Sequence, residues 1–167
     1  MKFVSAAEAV KLIKSGDSVF IQGSTSIPEV LVQAMTERAP ELRDVKVYSA
    51  FAIGRFDAPY AKAELRDSFE PLSFFVANNL RNAIKEGVAQ TIPAFLGEIP
   101  FLFRSRQVPL DVTLLNVSEP DDEGYCSYGI SADLAFSAAE CSKIIIAQVN
   151  KYMPRTFGDS VIHVSKI

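Results

Sequence analysis

The sequence is poor in cysteine and in long apolar runs, and each shortage excludes a class of protein. Its two cysteines, Cys126 and Cys141, are too few for a disulfide framework and lack the spacing of a zinc site. The longest apolar stretches fall far short of the ~20 residues that cross a bilayer. Charged residues also interrupt residues 1–16, which lack the apolar core of a secretory signal. We therefore expect a cytoplasmic protein that does not span a membrane.

Neither positive nor negative charge predominates in the sequence. Lysine and arginine total 17 against 20 aspartates and glutamates, which gives a net charge of −3. Basic residues form no cluster that would attract a phosphate backbone, which argues against nucleic acid as a partner. With 167 residues, of which 49% are hydrophobic and 22% charged, the chain is long enough for one domain with its own core.

Apolar runs and turn signals alternate along the whole chain. They predict strands at 18–22, 45–50, 72–77, 112–117, 143–149 and 161–164. They predict helices at 6–15, from near Pro28 past Met35, at 61–65, between Asn78 and Gly87, and from Ser131 to Glu140. This alternation is typical of an α/β fold, and we expect a mostly parallel open sheet with helices on both of its faces.

Several helix starts carry cap signals. Ser5 with Glu8, and Ser26 with Glu29, have the spacing of a capping box, in which two side chains satisfy free N–H groups reciprocally. The third cap is expected at Asn78 or Asn79, and Ser131 is the expected cap of the last helix.

The segment from Asp111 to Gly129 joins a buried strand to a polar loop. Residues 112–117 are mostly apolar and short enough for a strand that is covered on both faces. The loop that follows contains Ser118, Asp121, Gly124, Ser127 and Gly129, residue types that hold defined turns. Ligands of open α/β sheets bind at the carboxyl ends of strands, so this loop is a candidate binding site.

A second candidate loop follows the first predicted strand. Gly23, Ser24 and Thr25 precede the helix that begins near Pro28. The free N–H groups of a helix start, together with hydroxyl groups, suit a carboxylate or phosphate oxygen. The same residues could instead form only a tight turn with a helix cap.

The loops after three strands should meet at one edge of a parallel sheet. Residues 51–54 form the loop after the second strand. Because the carboxyl ends of all parallel strands lie on one edge, we expect Ser24 and Thr25 to lie near Ser118 and Asp121 in a common cleft.

Two sequence blocks resemble the amino-terminal half of the acetyl-CoA hydrolase/transferase family, of the 4-hydroxybutyrate CoA-transferase type. The first is Val117-Ser-x-Pro-Asp-x-x-Gly-x-x-Ser-x-Gly129, and the second is Asn150-Lys-Tyr-Met-Pro-Arg-Thr-Phe-Gly-Asp-Ser160. Position 157 is Phe where the family pattern has His, so a polar role at that position is not carried over. A looser match in the middle of the chain includes Arg81.

The resemblance implies a CoA-transferase architecture in which residues 1–167 form the amino-terminal domain and the carboxyl-terminal catalytic half is absent. It implies transfer of coenzyme A, as a substrate, between short-chain acyl groups and small carboxylates through a glutamyl-CoA intermediate. That glutamate belongs to the other half, so no catalytic residue is expected here, and Glu98 in its Gly-Glu-Ile-Pro setting is interpreted as a surface or capping glutamate. No covalently bound cofactor is implied, and we expect a homo-oligomer.

The substrate-binding candidates on this basis come from three segments, with no metal ligands among them. They are Gly23, Ser24, Thr25, Arg81, Ser118, Asp121, Gly124, Ser127 and Gly129. Each has a structural alternative, because the loop residues could serve only the hydrogen bonds of the loop and Arg81 could be solvated. Cys126 could be an exposed thiol, whereas His163 is expected to bond to backbone rather than act as a base.

Other functions fit the same fold. One alternative within the same chemistry is a separately encoded subunit that pairs with a catalytic partner chain. An alternative of another class is a noncatalytic small-molecule-binding module, or a sugar-phosphate-sensing relative of the fold.

Overall fold

Six parallel strands form the central sheet of the computed structural model, which describes residues 3–53 and 56–167. These strands are β1 (Ser18–Ile21), β2 (Val45–Ser49), β3 (Phe69–Ser73), β4 (Gln90–Thr91), β5 (Val112–Val117) and β7 (Ile144–Val149). Their order is β4-β3-β2-β1-β5-β7, and every neighbouring pair is parallel. The remaining strands, β6 (Tyr125–Ser127) and β8 (Val161–His163), pair with each other antiparallel.

In the described residues, five α-helices lie against the sheet. They are α1 (Ala6–Ala9), α2 (Glu29–Glu37), α3 (Asn78–Lys85), α4 (Ile99–Arg104) and α5 (Asp133–Cys141). Short 3-10 helices lie at Val10–Leu12, Ala63–Leu65 and Val164–Lys166. Within the described residues, no helix is both long and apolar enough to cross a membrane.

The alternation of side chains along each strand divides the core between the two faces. Val19 and Ile21 of β1 pack in one apolar cluster with residues of α2 and α3. Phe20 points to the other face, where it packs with residues of α4 and α5. The prediction of a mostly parallel sheet with helices on both faces is therefore confirmed.

The direction of the chain through the sheet reverses beside β1. From β1 the chain moves outward through β2 and β3 to β4, and then returns to β5 on the other side of β1. In doubly wound sheets the loops diverge at such a point and leave a crevice at the carboxyl ends of the strands. The strand predicted at 112–117 matches β5, and all six of its residues are buried.

The largest differences in limits concern the first predicted helix and the third predicted strand. The helix expected at 6–15 stops early, because α1 tightens into the 3-10 turn Val10–Leu12 and Ile13 is extended. The strand expected at 72–77 lies at Phe69–Ser73, since β2 supplies partners only from Val45 to Ser49. Beyond it the chain turns, and the Ser73 hydroxyl donates to the carbonyl of Phe75 at 2.7 Å.

The predicted caps had mixed outcomes. Ser5 caps α1, where its hydroxyl accepts a hydrogen bond from the Glu8 N–H at 3.2 Å. Ser26 does not cap α2, which begins after Pro28 without a side-chain cap. The caps expected at Asn78 or Asn79 and at Ser131 were also wrong.

Alanines occupy the cap positions of α3 and α5. Ala77 precedes α3 and Ala132 precedes α5, each without a side-chain cap bond. The Ser131 hydroxyl donates instead to Asp133 at 2.9 Å. The predicted loop at 51–54 follows β2, but Gly54 lies outside the described residues.

An aspartate joins three strands at the opposite, amino-terminal edge of the sheet. Asp111 precedes β5, and its carboxylate accepts from the Ser18 N–H at 2.9 Å and from Lys143 Nζ at 2.7 Å. Burial alone would raise the pKa of Asp111. The hydrogen bonds from Lys143 and Ser18 and the charge of Lys143 outweigh that effect, so its pKa lies below the ordinary value of 3.8.

We predict that Asp111→Asn lowers the free energy of unfolding at neutral pH. A lowered pKa in the folded state means that ionised Asp111 stabilises the fold above about pH 4. That stabilisation is lost as the pH falls through the folded-state pKa. Urea unfolding at several pH values should show the gap to wild type closing in acid, whereas the exposed Asp57→Asn should show no such gap. A gap independent of pH would contradict the assignment.

Candidate functional site

The loops after β1 and β2 lie against each other. The Ser24 N–H donates to the Phe51 carbonyl at 2.7 Å, and the Ile53 N–H donates to the Ser24 carbonyl at 3.0 Å. A Cβ atom at Gly23 would lie 2.8 Å from the Phe51 carbonyl oxygen, closer than side-chain carbons come to backbone oxygens. Only glycine therefore allows these two loops to approach so closely.

Ser24 has a backbone conformation that is unusual for a residue with a side chain. Its φ is +59°, in the left-handed region, and its side chain is half-buried, whereas Thr25 is exposed. Such conformations cost ~1 kcal/mol or more and persist only where the surrounding structure imposes them. The hydrogen bonds to Phe51 and Ile53 supply that constraint.

Gln22 fastens the end of β1 to the region after β5. Its side chain is fully buried, and its amide donates to the carbonyls of Tyr128 at 3.2 Å and Ser131 at 2.8 Å. Its amide oxygen accepts from the Asn116 N–H at 2.7 Å. The role of Gln22 was not predicted, although a polar side chain between an apolar strand and a glycine was the available signal in the sequence.

The amino-terminal end of α2 is less open to a ligand than the sequence suggested. The Glu29 N–H donates to the Ile27 carbonyl at 2.9 Å, and the Val30 N–H donates to the side-chain oxygen of Gln148 at 3.2 Å. Two of the N–H groups expected to be free therefore have acceptors within the protein.

Ser118 and Ser127 hold the polar loop in one conformation. The Ser127 N–H donates to the Ser118 hydroxyl at 2.9 Å, and the Ser118 N–H donates to the Ser127 carbonyl at 2.9 Å. The Ser118 hydroxyl itself donates to the Glu119 carbonyl at 2.9 Å. Both serines are buried, so their hydroxyls shape the loop from inside.

A cluster of hydroxyl groups joins this loop to residues 150–160. The Ser127 hydroxyl lies 2.8 Å from that of Thr156, which lies 2.8 Å from that of Ser160. The Ser127 hydroxyl also accepts from the Gly129 N–H at 2.9 Å. Gly129 has a φ of +66°, and an added Cβ would lie 2.0 Å from the sulfur of Met153. The two blocks that carry the family resemblance thus form one unit.

Asp121 bonds through its carboxylate to the polar loop and to Arg155 of residues 150–160. Its carboxylate accepts from the N–H groups of Glu123 at 3.1 Å and Tyr125 at 2.8 Å. It also pairs with Arg155, which donates to the Tyr125 carbonyl at 3.0 Å. Its negative charge is therefore already matched by a cation.

The environments of Gly124, His163 and Cys126, in or beside this loop, decide what these residues can do. Gly124 lies against His163, whose Nε2 is 3.2 Å from the Glu123 carbonyl, so the histidine is bonded to backbone as expected. Cys126 is fully buried, and burial raises the pKa of its thiol, so the suggestion of an exposed thiol was wrong. Within residues 3–53 and 56–167, no three potential ligands cluster as a metal site would require.

The strand order places most candidate residues on one edge but leaves Arg81 apart. Gly23 follows β1 and Ser118 follows β5, and these two strands are parallel neighbours. Arg81 is exposed on α3, after β3, which lies two strands from β1. Phe157, in the position where the family pattern has His, is 86% exposed.

An apolar cavity of about 310 Å³ lies beside the loop after β2. Phe51, Phe74 and Phe75 line it together with Leu96. Phe75 and Leu96 are more than half exposed, so the cavity opens toward solvent. A larger depression of about 800 Å³ runs along α1 and α2 and is lined by none of the nine candidate residues.

We predict that Gln22→Met, which keeps the volume but removes the amide, lowers the free energy of unfolding by ~2–4 kcal/mol. The substitution leaves one N–H group and two carbonyls without their partner inside the protein. Denaturant unfolding measures the loss. Gln33→Met on the exposed face of α2 is the matched control and should change stability by less than ~0.5 kcal/mol. Equal effects of the two substitutions would show that the Gln22 amide stabilises little.

The sequence and the fold of this chain are similar to those of known proteins. The profile of the acetyl-CoA hydrolase/transferase N-terminal domain matches residues 1–167. A 4-hydroxybutyrate coenzyme A transferase of Clostridium kluyveri is 39% identical over 166 residues, which are 99% of this chain and 38% of that protein. A succinyl-CoA:acetate/propanoyl-CoA:succinate CoA transferase of Fasciola hepatica is 38% identical over 96% of this chain and 33% of that protein.

Solved structures agree with the family profile. A 4-hydroxybutyrate CoA-transferase from Porphyromonas gingivalis has a TM-score of 0.80 at 33% identity, over 98% of this chain and 37% of that one. RipA from Yersinia pestis has a TM-score of 0.87 at 27% identity, over 98% of this chain and 40% of that one. The chain spans less than two fifths of the length of both curated relatives. It belongs to the acetyl-CoA hydrolase/transferase family and matches the amino-terminal domain of that family.

Proposed function

We propose that this chain is the amino-terminal, substrate-side domain of an acyl-CoA hydrolase or CoA-transferase. The complete enzyme would move coenzyme A between short-chain acyl groups and carboxylates through a glutamyl-CoA intermediate. The observation that carries the proposal is the 39% identity to a 4-hydroxybutyrate coenzyme A transferase along almost the whole chain. The domain would form the wall that holds the acyl and carboxylate groups.

The carboxylate would bind at the loop after β1. Ser24 and Thr25 follow β1 at the edge where the strand order reverses. Thr25 is exposed, and Ser24 is half-buried in a conformation set by its neighbours. The loop from Ser118 to Gly129 follows the neighbouring strand and would form the facing wall. Since the hydroxyls of Ser118 and Ser127 already bond to groups of the protein, the loop would define the shape of the site rather than contact the ligand directly.

The acyl chain would occupy the apolar cavity beside the loop after β2. Hydrocarbon bound against Phe51, Phe74 and Phe75 is removed from water, which contributes roughly 0.8 kcal/mol per CH₂ group. The volume of about 310 Å³ suits a short acyl group. The loop after β1 is bonded to Phe51, which lines this cavity. One substrate would therefore place its acyl chain in the cavity and its carboxylate at the loop after β1.

The nucleophilic glutamate would come from outside these residues. Glu98 is the one glutamate here in a Gly-Glu-Ile-Pro setting, and its side chain is exposed at the position that precedes α4. Its backbone carbonyl accepts from the N–H groups of Phe101 and Leu102, as the residue before a helix does. This placement supports a structural role for Glu98.

Exposed apolar side chains and free cysteines bear on the partners and the location of the protein. Large apolar side chains at Phe95, Phe101, Tyr152 and Phe157 are each more than 60% exposed, as at surfaces that contact another protein. We propose that such surfaces meet the rest of the parent protein or a second copy in a homo-oligomer. Both cysteines are free, which favours the cytoplasm.

We predict that Ser24→Ala with Thr25→Ala, in the complete enzyme, raises the KM for the carboxylate acceptor about tenfold. The loss reflects missing hydrogen bonds to a charged group, while the KM for the acyl-CoA thioester should change less. Steady-state kinetics with several acceptors measure both. Thr91→Ala, at the exposed end of β4, is the control. An equal change in both KM values would argue that this loop does not bind the carboxylate.

We also predict that residues 1–167 alone show no CoA-transferase turnover, because the nucleophile lies outside them. Transfer would be followed by chromatography of acyl-CoA products with several donors and acceptors. Sustained turnover that Glu98→Gln abolishes would show instead that Glu98 is the nucleophile.

A further inference from the structure

Three residues that each carry a buried polar atom line one small cavity beside the loops after β1 and β2. Ser49 Oγ, Tyr60 OH and Asn79 Oδ1 are each shielded from solvent, and none has a hydrogen-bond partner in the part of the chain that the structure describes. All three residues line the same cavity. They come from the end of β2, from the segment before the 3-10 helix at Ala63–Leu65, and from the first turn of α3.

Three such atoms in one place need a common explanation. Buried polar groups in folded proteins are almost always hydrogen-bonded, and one left without a partner is strongly unfavourable. Tyr60 is only 1% exposed, so its hydroxyl cannot turn to bulk solvent. Because all three residues line the same cavity, one partner inside it would serve all three atoms.

The size of the cavity limits what that partner can be. The space open to the centre of a water molecule is about 10 Å³, near the ~10–15 Å³ that one ordered water requires. A carboxylate, a phosphate or a second water would not fit. A water with two to four polar neighbours is the usual occupant of a buried polar cavity.

We propose that a single ordered water molecule binds in this cavity and joins Ser49, Tyr60 and Asn79 in one hydrogen-bonded cluster. The hydrogen bonds balance with one water. The hydroxyls of Tyr60 and Ser49 donate to the two lone pairs of the water, and the water donates to Asn79 Oδ1. The Ser49 side chain lies close enough to Tyr60 to lower the pKa of its phenol, but the pair lacks the geometry of a formed hydrogen bond. Burial has the larger effect and raises the pKa of Tyr60 to about 12, so the phenol keeps the proton that it donates.

The water would also support the candidate binding loops. Gly23, Phe51 and Ala52 line the same cavity, and these are residues through which the loops after β1 and β2 contact each other. The cluster therefore links that pair of loops to Tyr60 and to the first turn of α3. Loss of the water should loosen the loop contact without removing any residue of the loops themselves.

A high-resolution crystal structure of the protein carrying this chain tests the proposal directly. We expect one spherical density peak within hydrogen-bond distance of Ser49 Oγ, Tyr60 OH and Asn79 Oδ1. The matched variants are Tyr60→Phe and Tyr48→Phe, because Tyr48 is a buried tyrosine that packs on the opposite face of the sheet. The peak should weaken or vanish in Tyr60→Phe and remain in Tyr48→Phe. A direct Ser49–Tyr60 hydrogen bond with no peak beside Asn79 would overturn the proposal.

Amide hydrogen exchange gives a second readout that needs no crystals of the variants. The N–H groups of Ser24 and Ile53 form the hydrogen bonds between the two loops. Their exchange should become about tenfold faster in Tyr60→Phe, the effect expected for the loss of one hydrogen bond's stabilisation, and stay unchanged in Tyr48→Phe. Unchanged exchange in Tyr60→Phe, or an equal increase in both variants, would refute the link between the water and the loops.

Discussion

The side-chain amide of Gln22 is the contact on which the candidate site most depends. It lies where the chain direction through the sheet reverses, between β1 and the region after β5. The loops that follow two neighbouring parallel strands diverge at such a point, and their backbone groups then lack partners in the sheet. Gln22 supplies two donors and one acceptor to three of those groups. A fully satisfied polar contact of this kind fixes one relative position for the two candidate loops.

The two loops held by Gln22 differ in what they offer to a ligand. After β5, the hydroxyls of Ser118 and Ser127 are buried and already bonded to groups of the protein, and the charge of Asp121 is paired with Arg155. After β1, Ser24 is half-buried and Thr25 is exposed. The longer loop is therefore suited to define the shape of the site. The shorter loop keeps polar groups for a bound molecule.

Sequence patterns predicted the parts of the structure that depend on nearby residues. The alternation of apolar runs identified β5, and strand order then placed Gly23 and Ser118 on one edge. The predictions failed where distant residues decide the outcome. Ser26 does not cap α2, where Gln148 from β7 accepts from the first turn. Gln22 was missed because its partners lie 94 to 109 positions away along the chain.

The conformation of the loop after β1 is imposed by its surroundings rather than by its own sequence. Ser24 keeps a left-handed backbone that residues with side chains rarely adopt, and it does so between hydrogen bonds to Phe51 and Ile53. Gly23 permits those bonds because nothing on its Cα meets the Phe51 carbonyl. A loop held in this way has lost its conformational entropy before a ligand arrives. Binding at this edge therefore needs little further ordering of the backbone, which leaves more of each hydrogen bond available as affinity.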